Sequence, residues 1–210
     1  DVKTIMAIWS FKRKRFPDGR LNKHKARLCA HGGMQTWGVN YWETYAPTVN
    51  WISVRFLMTV AEILKLDTRA IDFVLAFPQA DLDVPVYMEL PAGMELIGHS
   101  NDSSRYLLRL KASLYGLKQA SNNWHQKLKT ALEDRGFVES LSDPCVFISE
   151  KMIILVYVDD CILISRESLE IEKFIQSLTD GPEKFDFTDE GRMSSYLRVD
   201  ITRHTNRKGF

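Results

Sequence analysis

Cysteine is scarce in this chain: Cys29, Cys145 and Cys161 are odd in number, far apart, and form no Cys-x-x-Cys. That excludes a disulfide framework, offers no zinc-binding spacing, and predicts a reducing, intracellular setting. Long apolar runs are also missing. The longest, Met152 to Val158, has seven residues. A membrane-spanning helix needs about 20, so no membrane partner is expected. There is no internal repeat and no low-complexity tract, and 45% of the residues are apolar, which excludes global disorder. An initiator Met and a signal pattern are both lacking, and a turn-like Asn206-Arg207-Lys208-Gly209 precedes Phe210. The expectation is a piece of a longer polypeptide.

Net charge is nearly absent at +1, but its distribution is uneven. Residues 1–35 hold nine basic residues, among them Lys12, Arg13, Lys14 and Arg15, against Asp1 and Asp18. That is +7, which leaves −6 for the other 175 residues. A basic end beside an acidic body suggests a polyanion partner and a carboxylate-rich site, or else a merely solvated basic loop.

Pattern along the chain predicts strands and helices in alternation. Residues 5–11 read as a strand. The turn Pro17-Asp18-Gly19 lies between two basic arms, Lys12–Arg15 and Arg20–Arg27, and predicts a hairpin. Gly32 to Pro47 is loop-like, with Trp37, Tyr41, Trp42 and Tyr45 expected to pack into it. A helix capped by Asn50 or Ser53 runs to about Leu66, with Phe56, Val60 and Ile63 or Leu64 as its apolar face. Thr68–Val74 is a short strand. Val84–Leu90 and Arg105–Leu110 pair around a loop at 91–104. A second helix, about Gln119 to Arg135, carries Trp124, Leu128 and Leu132 on one face and stops at Gly136. Val146–Ile148, Met152–Val158 and Cys161–Ser165 are strands. Residues 167–178 form a helix with Ile171, Phe174, Ile175 and Leu178 inward, and Leu197, Val199 and Ile201 alternate as a last strand. This order lacks the regular βαβα alternation of a doubly wound sheet. It predicts an α+β fold, an antiparallel or mixed sheet backed by helices.

Three stretches carry chemistry. In Tyr157-Val158-Asp159-Asp160, two adjacent acids sit between apolar runs that read as buried strands, so they belong to a tight hairpin. Like charges at such a tip repel and are poorly solvated, and a divalent cation would relieve both problems. A plain surface turn is the other reading. Asp72 closes the strand Ile71-Asp72-Phe73, and Phe77 follows five residues later. Joined with Asp159 and Asp160, Asp72 would complete a three-carboxylate cluster able to hold two Mg2+ about 3.5–4 Å apart for in-line phosphoryl transfer. Alone, Asp72 is a turn cap and Phe77 a core aromatic. Third, Ser113-Leu114-Tyr115-Gly116-Leu117-Lys118-Gln119-Ala120 enters the second helix. Gly116 permits close backbone approach, and Lys118 is either a phosphate contact or an exposed lysine.

These stretches occur in the order and at the spacing of copia-type retrotransposon reverse transcriptases, which the chain resembles over nearly all of residues 10–202. Further blocks agree: Lys25-Ala26-Arg27-Leu28, Tyr45-Ala46-Pro47-Thr48, Ser53-Val54-Arg55, Val86-Tyr87-Met88-Glu89-Leu90-Pro91, Gly136-Phe137 and Ser142-Asp143-Pro144-Cys145-Val146-Phe147. The resemblance implies a right-hand polymerase with fingers and palm, its antiparallel palm sheet backed by helices. Residues 1–66 correspond to a fingers-like region. Residues 67–210 correspond to palm, with a fingers-like insertion around 84–115. On the same resemblance, thumb, connection and ribonuclease H regions are expected to be absent from these residues.

It further implies catalytic, metal-binding roles for Asp72, Asp159 and Asp160 with two Mg2+, or Mn2+. Phe77 matches the aromatic beneath the incoming sugar, where a bulky ring excludes a 2′-hydroxyl. Tyr115, Gly116 and Lys118 match the block beside the nascent base pair and template. Lys25 and Arg27 lie in the block facing the triphosphate, and Tyr157 and Val158 line the primer end. The implied partners are an RNA or DNA template with its primer, deoxynucleoside triphosphates, and other domains of a parent polyprotein. The implied location is cytoplasmic, in a virus-like particle, or nuclear. A second reading is a decayed fragment that keeps the fold and at most binds nucleic acid. The sequence departs from the family at His31 (often Arg), at Ser121-Asn122 (usually Pro-Arg) and at Leu197-Arg198-Val199, where Gly usually stands at the centre.

Overall fold

The structure, a computed structural model, describes residues 3–16, 18–94, 106–181, 183–193, 195–196 and 199–200. In chain order the elements are β1 (Thr4–Ile5), β2 (Ala7–Arg15), β3 (Leu21–Ala30), α1 (Trp51–Ile63), β4 (Asp67–Phe73), α2 (Ala76–Gln79), β5 (Tyr87–Glu89), β6 (Leu107–Arg109), α3 (Ala120–Glu133), β7 (Val138–Glu139), β8 (Val146–Ile148), β9 (Met152–Tyr157), β10 (Asp160–Ser165), α4 (Ser168–Asp180), β11 (Phe187–Arg192), β12 (Ser195–Tyr196) and β13 (Val199–Asp200). The fold is α+β. The chain forms two compact units: Asp1–Ala46 with Leu75–Leu128, and Pro47–Val74 with Lys129–Phe210.

The second unit is built on a six-stranded antiparallel sheet in the order β11-β4-β10-β9-β8-β7. Its middle strands, MIILVY and DCILIS, are apolar on both faces because both faces are covered. α1 covers one face: Val54, Leu57 and Ala61 pack with Ala70, Leu155, Ile162 and Ile164. α4 lies against β10 and buries Ile171, Phe174 and Leu178. The α1 stripe differs from the expected one. Phe56, Ile63 and Leu64 are exposed at 64%, 71% and 54%. α1 is apolar on more than one side, so helical spacing admits two stripes, and packing selects Val54, Leu57 and Ala61. The edge strand β11 was not foreseen.

The first unit has a three-stranded sheet, β1-β5-β6, and a two-stranded ribbon, β2-β3. Its core joins Ile5, Ala30, Val86, Met88, Leu117 and Ala120. The ribbon forms where the two basic arms predict a hairpin, with Gly19 at φ +86° in its turn. The loop after β3 departs from expectation. Trp37, Trp42 and Tyr45 are exposed at 67%, 53% and 70%, and the two indoles meet edge to face at 5.6 Å. The expected last strand falls partly outside the described residues: Leu197, Arg198 and Ile201 lie outside, whereas Val199 belongs to β13.

A buried carboxylate ties the second unit together. Asp143, 4% exposed, accepts hydrogen bonds from the backbone N–H of Asn50 (2.9 Å) and Cys145 (3.0 Å) and from the Ser53 hydroxyl (2.6 Å). Asn50 in turn caps α1, its side chain accepting from the Ile52 N–H at 2.9 Å. Asp143→Ala is expected to lower stability by about 3 kcal/mol in urea denaturation, and Asp143→Asn by less, because Ala strands three donors at once.

Candidate active site

The carboxylates belong to the second unit. β9 ends at Tyr157 and β10 begins at Asp160, so Val158 and Asp159 form a two-residue hairpin loop. The backbone N–H of Phe73 donates to the Asp159 carbonyl at 2.8 Å and fastens this loop to the end of β4. Val158 has φ +56°, a left-handed conformation that strains a β-branched residue. Pairing of β10 with β4 sets Asp160 directly opposite Asp72. Directly paired residues project from the same face of a sheet, so the hairpin brings two acids from distant sequence to one place.

The electrostatic result falls on Asp160. Its carboxyl is pushed up to about 6, first by burial and then by the charges of Asp159, Asp72 and Glu190. Glu190 is a contributor that sequence reasoning missed. It sits at the β-bulge of β11, where pairing with β4 jumps between Asp189 and Gly191. Asp189 itself is neutralised by Arg69, which donates to it through Nε (2.8 Å) and Nη2, a forked contact that holds Asp189 below its usual range. Beneath the site, burial holds the Cys161 thiol neutral.

The acidic side chains that act on one another here, Asp72, Asp159, Asp160 and Glu190, offer carboxylate oxygens, which suit a hard divalent cation, and their mutual repulsion is the charge such an ion would balance. Among the described residues, no three His, Cys, Asp or Glu side chains converge tightly enough to hold one ion. The structure therefore brings Asp72 and Asp160 face to face and Asp159 into the adjoining turn without closing the expected cluster.

The other expected site residues lie in the first unit. β3 places Arg27 with its guanidinium 5.2 Å from the centre of the Tyr115 ring, and Tyr115 tilts against Phe77 of α2 at 5.0 Å. Arg27 Nε is buried and has no hydrogen-bond partner. Lys25 stands two residues back on the same ribbon face. Phe77 also packs against the first unit's apolar core, so its core reading holds beside any other.

Backbone contact fixes this arrangement. Gly116 has φ +90°, and a Cβ there would collide with the Ala30 carbonyl; a Cβ on Gly32 would collide with the Gly116 carbonyl. The Ala30 N–H donates to the Tyr115 carbonyl at 2.7 Å. Lys118 is held as well: its ammonium donates to the Gln35 carbonyl (3.3 Å) and the Tyr41 hydroxyl (3.2 Å) and lies 4.5 Å from the centre of the Tyr41 ring. Gln35 and Gln119, both buried, bond each other at 2.9 Å and share the Asn40 carbonyl. Of the departures, Asn122 donates to the Tyr45 carbonyl at 2.5 Å and so gains a structural role.

Residues 1–209 match the reverse transcriptase (RNA-dependent DNA polymerase) family. The chain belongs to that family. It is 34% identical over 206 residues to the retrovirus-related Pol polyprotein from transposon TNT 1-94 of Nicotiana tabacum, covering 95% of this chain and 15% of the relative. It is 33% identical over 206 residues to the corresponding polyprotein from transposon RE2 of Arabidopsis thaliana, covering 96% and 14%. The transposon Ty1-ER2 Gag-Pol polyprotein of Saccharomyces cerevisiae is 32% identical over 182 residues, covering 84% and 9%. This reverse transcriptase region is thus copia-type, and it spans about a seventh of the length of its plant relatives. Among its described residues, no helix is long and apolar enough to cross a membrane.

Asp160 sets a pH dependence. Its folded-state value of about 6 lies above the ordinary 3.8, so the native state holds the proton more tightly than the unfolded chain. That contribution to stability is complete below about pH 4 and is lost as pH rises through about 6. Asp160→Asn is expected to flatten the decline in melting temperature between these pH values and to raise the melting temperature at pH 7. Scanning calorimetry across the window, with and without the substitution, measures both effects.

Proposed function

We propose that the chain is the fingers-and-palm part of an RNA-directed DNA polymerase that joins deoxynucleotides to a primer 3′-hydroxyl. The observation that carries this is the Tyr157–Asp160 hairpin, which sets Asp160 opposite Asp72 beside a strained turn bearing Asp159. Family membership supports it. In this reading the six-stranded sheet is the palm, and the β2–β3 ribbon belongs to the fingers. The helix α1, which the limit at residues 66/67 assigns to the fingers, packs on the sheet and goes with the palm.

Asp72, Asp159 and Asp160 would hold the divalent ions, Mg2+ or Mn2+. When bound, two such ions acidify the attacking hydroxyl and neutralise charge on the triphosphate. The chain's residues position the rest. Tyr157, at the end of β9, and Val158, in the loop, would meet the primer end. Arg27 would meet the triphosphate, since its buried Nε lacks a partner and its guanidinium is already ordered on Tyr115. Lys25 would supply charge without that ordering. Phe77, braced by Tyr115, would exclude a 2′-hydroxyl. Lys118 would act chiefly by holding the Gln35–Tyr41 loop, with Gly116 allowing the crossing beneath it. Template, primer, triphosphates and the remaining polyprotein domains are the partners, and the cytoplasm, within a virus-like particle, or the nucleus is the setting.

Primer extension on a poly(rA)/oligo(dT) hybrid with Mg2+ and dTTP tests this. Asp159→Ala and Asp160→Ala are expected to lower incorporation by about 1,000-fold or more. Hybrid binding without incorporation by the unaltered chain would instead favour a non-catalytic remnant. Arg27→Ala is expected to raise KM for dTTP about tenfold, and Lys25→Ala by less, in steady-state extension. Mg2+ is expected to raise the melting temperature of the unaltered protein at pH 7, and of Asp160→Asn by a smaller amount.

A further inference from the structure

Helix α1 buries one face and leaves a second apolar face outside. Val54, Leu57 and Ala61 pack on the sheet. Ile52, Phe56, Thr59 and Ile63 lie on the opposite side, at intervals of four, three and four residues. That alternation is the seam along which one helix packs against another. Ile52 is 74% exposed, and Phe56 and Ile63 are exposed with it. Thr59 does not interrupt the seam. Its hydroxyl donates to the Arg55 carbonyl at 2.8 Å, so it can be covered without losing a partner.

The charges beside the seam match a reversed copy of themselves. Arg55 and Glu62 stand seven residues apart on one flank, and both are exposed. The Arg55 guanidinium has no partner among the described residues. Glu62 meets Lys65 at 2.9 Å in an exposed pair that is easily shared. In an antiparallel pair of identical helices crossing at the middle of the seam, Ile52 faces Ile63 of the other copy, and Phe56 faces its Thr59. In the same register Arg55 faces Glu62 of the other copy, twice by symmetry. A parallel pair would set Arg55 beside Val60 and leave both charges unmatched.

We propose that α1 is a self-association surface, through which two copies of this chain pair antiparallel along the Ile52–Ile63 seam with reciprocal Arg55–Glu62 contacts. A second copy is favoured over a foreign helix because this face already carries the complement of its own pattern. Trp51, exposed on the Arg55 flank, widens the contact. α1 is about 20 Å long, so the pair buries on the order of 1,000 Å2 in total, at the lower limit for a specific interface. The dimer is therefore weak and reversible, with Kd on the order of 100 μM. The seam uses no residue assigned above to catalysis or nucleotide binding, and the dimer is independent of the polymerase reading.

Sedimentation equilibrium of the purified chain, from about 5 to about 500 μM, tests this. A reversible monomer–dimer equilibrium is expected, and it weakens as salt rises. Phe56→Glu is expected to leave a monomer at every concentration, with its circular dichroism unchanged because the side chain is on the surface. Arg55→Glu and Glu62→Arg are each expected to weaken the dimer about tenfold, because two attractions become two repulsions. The double change Arg55→Glu, Glu62→Arg is expected to restore it. An equimolar mixture of the two single variants is expected to pair more tightly than either variant alone. These charge exchanges separate reciprocal pairing from loose apolar contact, and they decide the matter alone if Phe56→Glu disturbs the fold. A chain that stays monomeric up to the highest concentration overturns the proposal. So does a dimer that survives a folded Phe56→Glu, which would place the contact elsewhere. Single-variant losses that neither the double change nor the mixture reverses also overturn it.

Discussion

Two carboxylates facing each other across neighbouring strands are the constraint to which the second unit is built. The Asp160–Asp72 pair, half-buried and joined by Asp159 in the turn, is unfavourable by itself. It persists because the strands that carry it are fixed for other reasons. β9 and β10 are apolar on both faces, α1 closes one face with Val54, Leu57 and Ala61, and Asp143 ties the α1 cap to the strand beyond. The repulsion is concentrated at the one end of the sheet where the loop is strained at Val158. Strain and unbalanced charge at the same loop mark a place held ready for something that compensates both.

The first unit solves a different problem by different means. Its aromatic and basic side chains must be held near each other without a large core behind them. It uses backbone in place of side chains: Gly32, Gly116 and the Ala30 carbonyl lie so close that no Cβ fits between them. Around that crossing, two buried glutamines satisfy each other and the loop carbonyl of Asn40. Polar groups buried in this way are worth more for fixing one arrangement than for net stability, because each partner lost leaves another unsatisfied.

The sequence made the strands legible where composition left no alternative. MIILVY and CILIS read as buried strands and the acids between them as a tight turn, so the hairpin followed, but one residue out of place: Asp159 and Asp160 were expected as the turn, whereas Val158 and Asp159 form it and Asp160 is drawn into β10 by its pairing with Tyr157 and Asp72. Helix α3 was legible because Trp124, Leu128 and Leu132 have no competing stripe. Helix α1 was misjudged because Phe56 and Ile63 are as apolar as Leu57 and Ala61, and periodicity cannot choose between faces. Trp37, Trp42 and Tyr45 were expected inside on hydrophobicity alone, yet their loop is pinned by Gln35 and Asn40 and leaves the rings outside. The strand β11 has no alternation of its own, since Phe187–Arg192 is mostly polar and is recruited by β4. Glu190 was missed for that reason: no spacing relates it to Asp160, and only strand pairing brings its charge there.

The alternation of β10 carries a consequence for how copies of such a gene diverge. Ile162 and Ile164 face α1, and Asp160 shares their side of the strand because side chains alternate with a period of two. Exchanges such as Ile for Val or Leu along this strand change volume slightly and are tolerated. Loss of the Cys161 codon is not comparable, although it keeps the reading frame. It turns the acid to the opposite face of the sheet relative to the isoleucines, and neither face can then be satisfied. In a lineage of drifting copies, spelling can wander in this segment, but its length cannot.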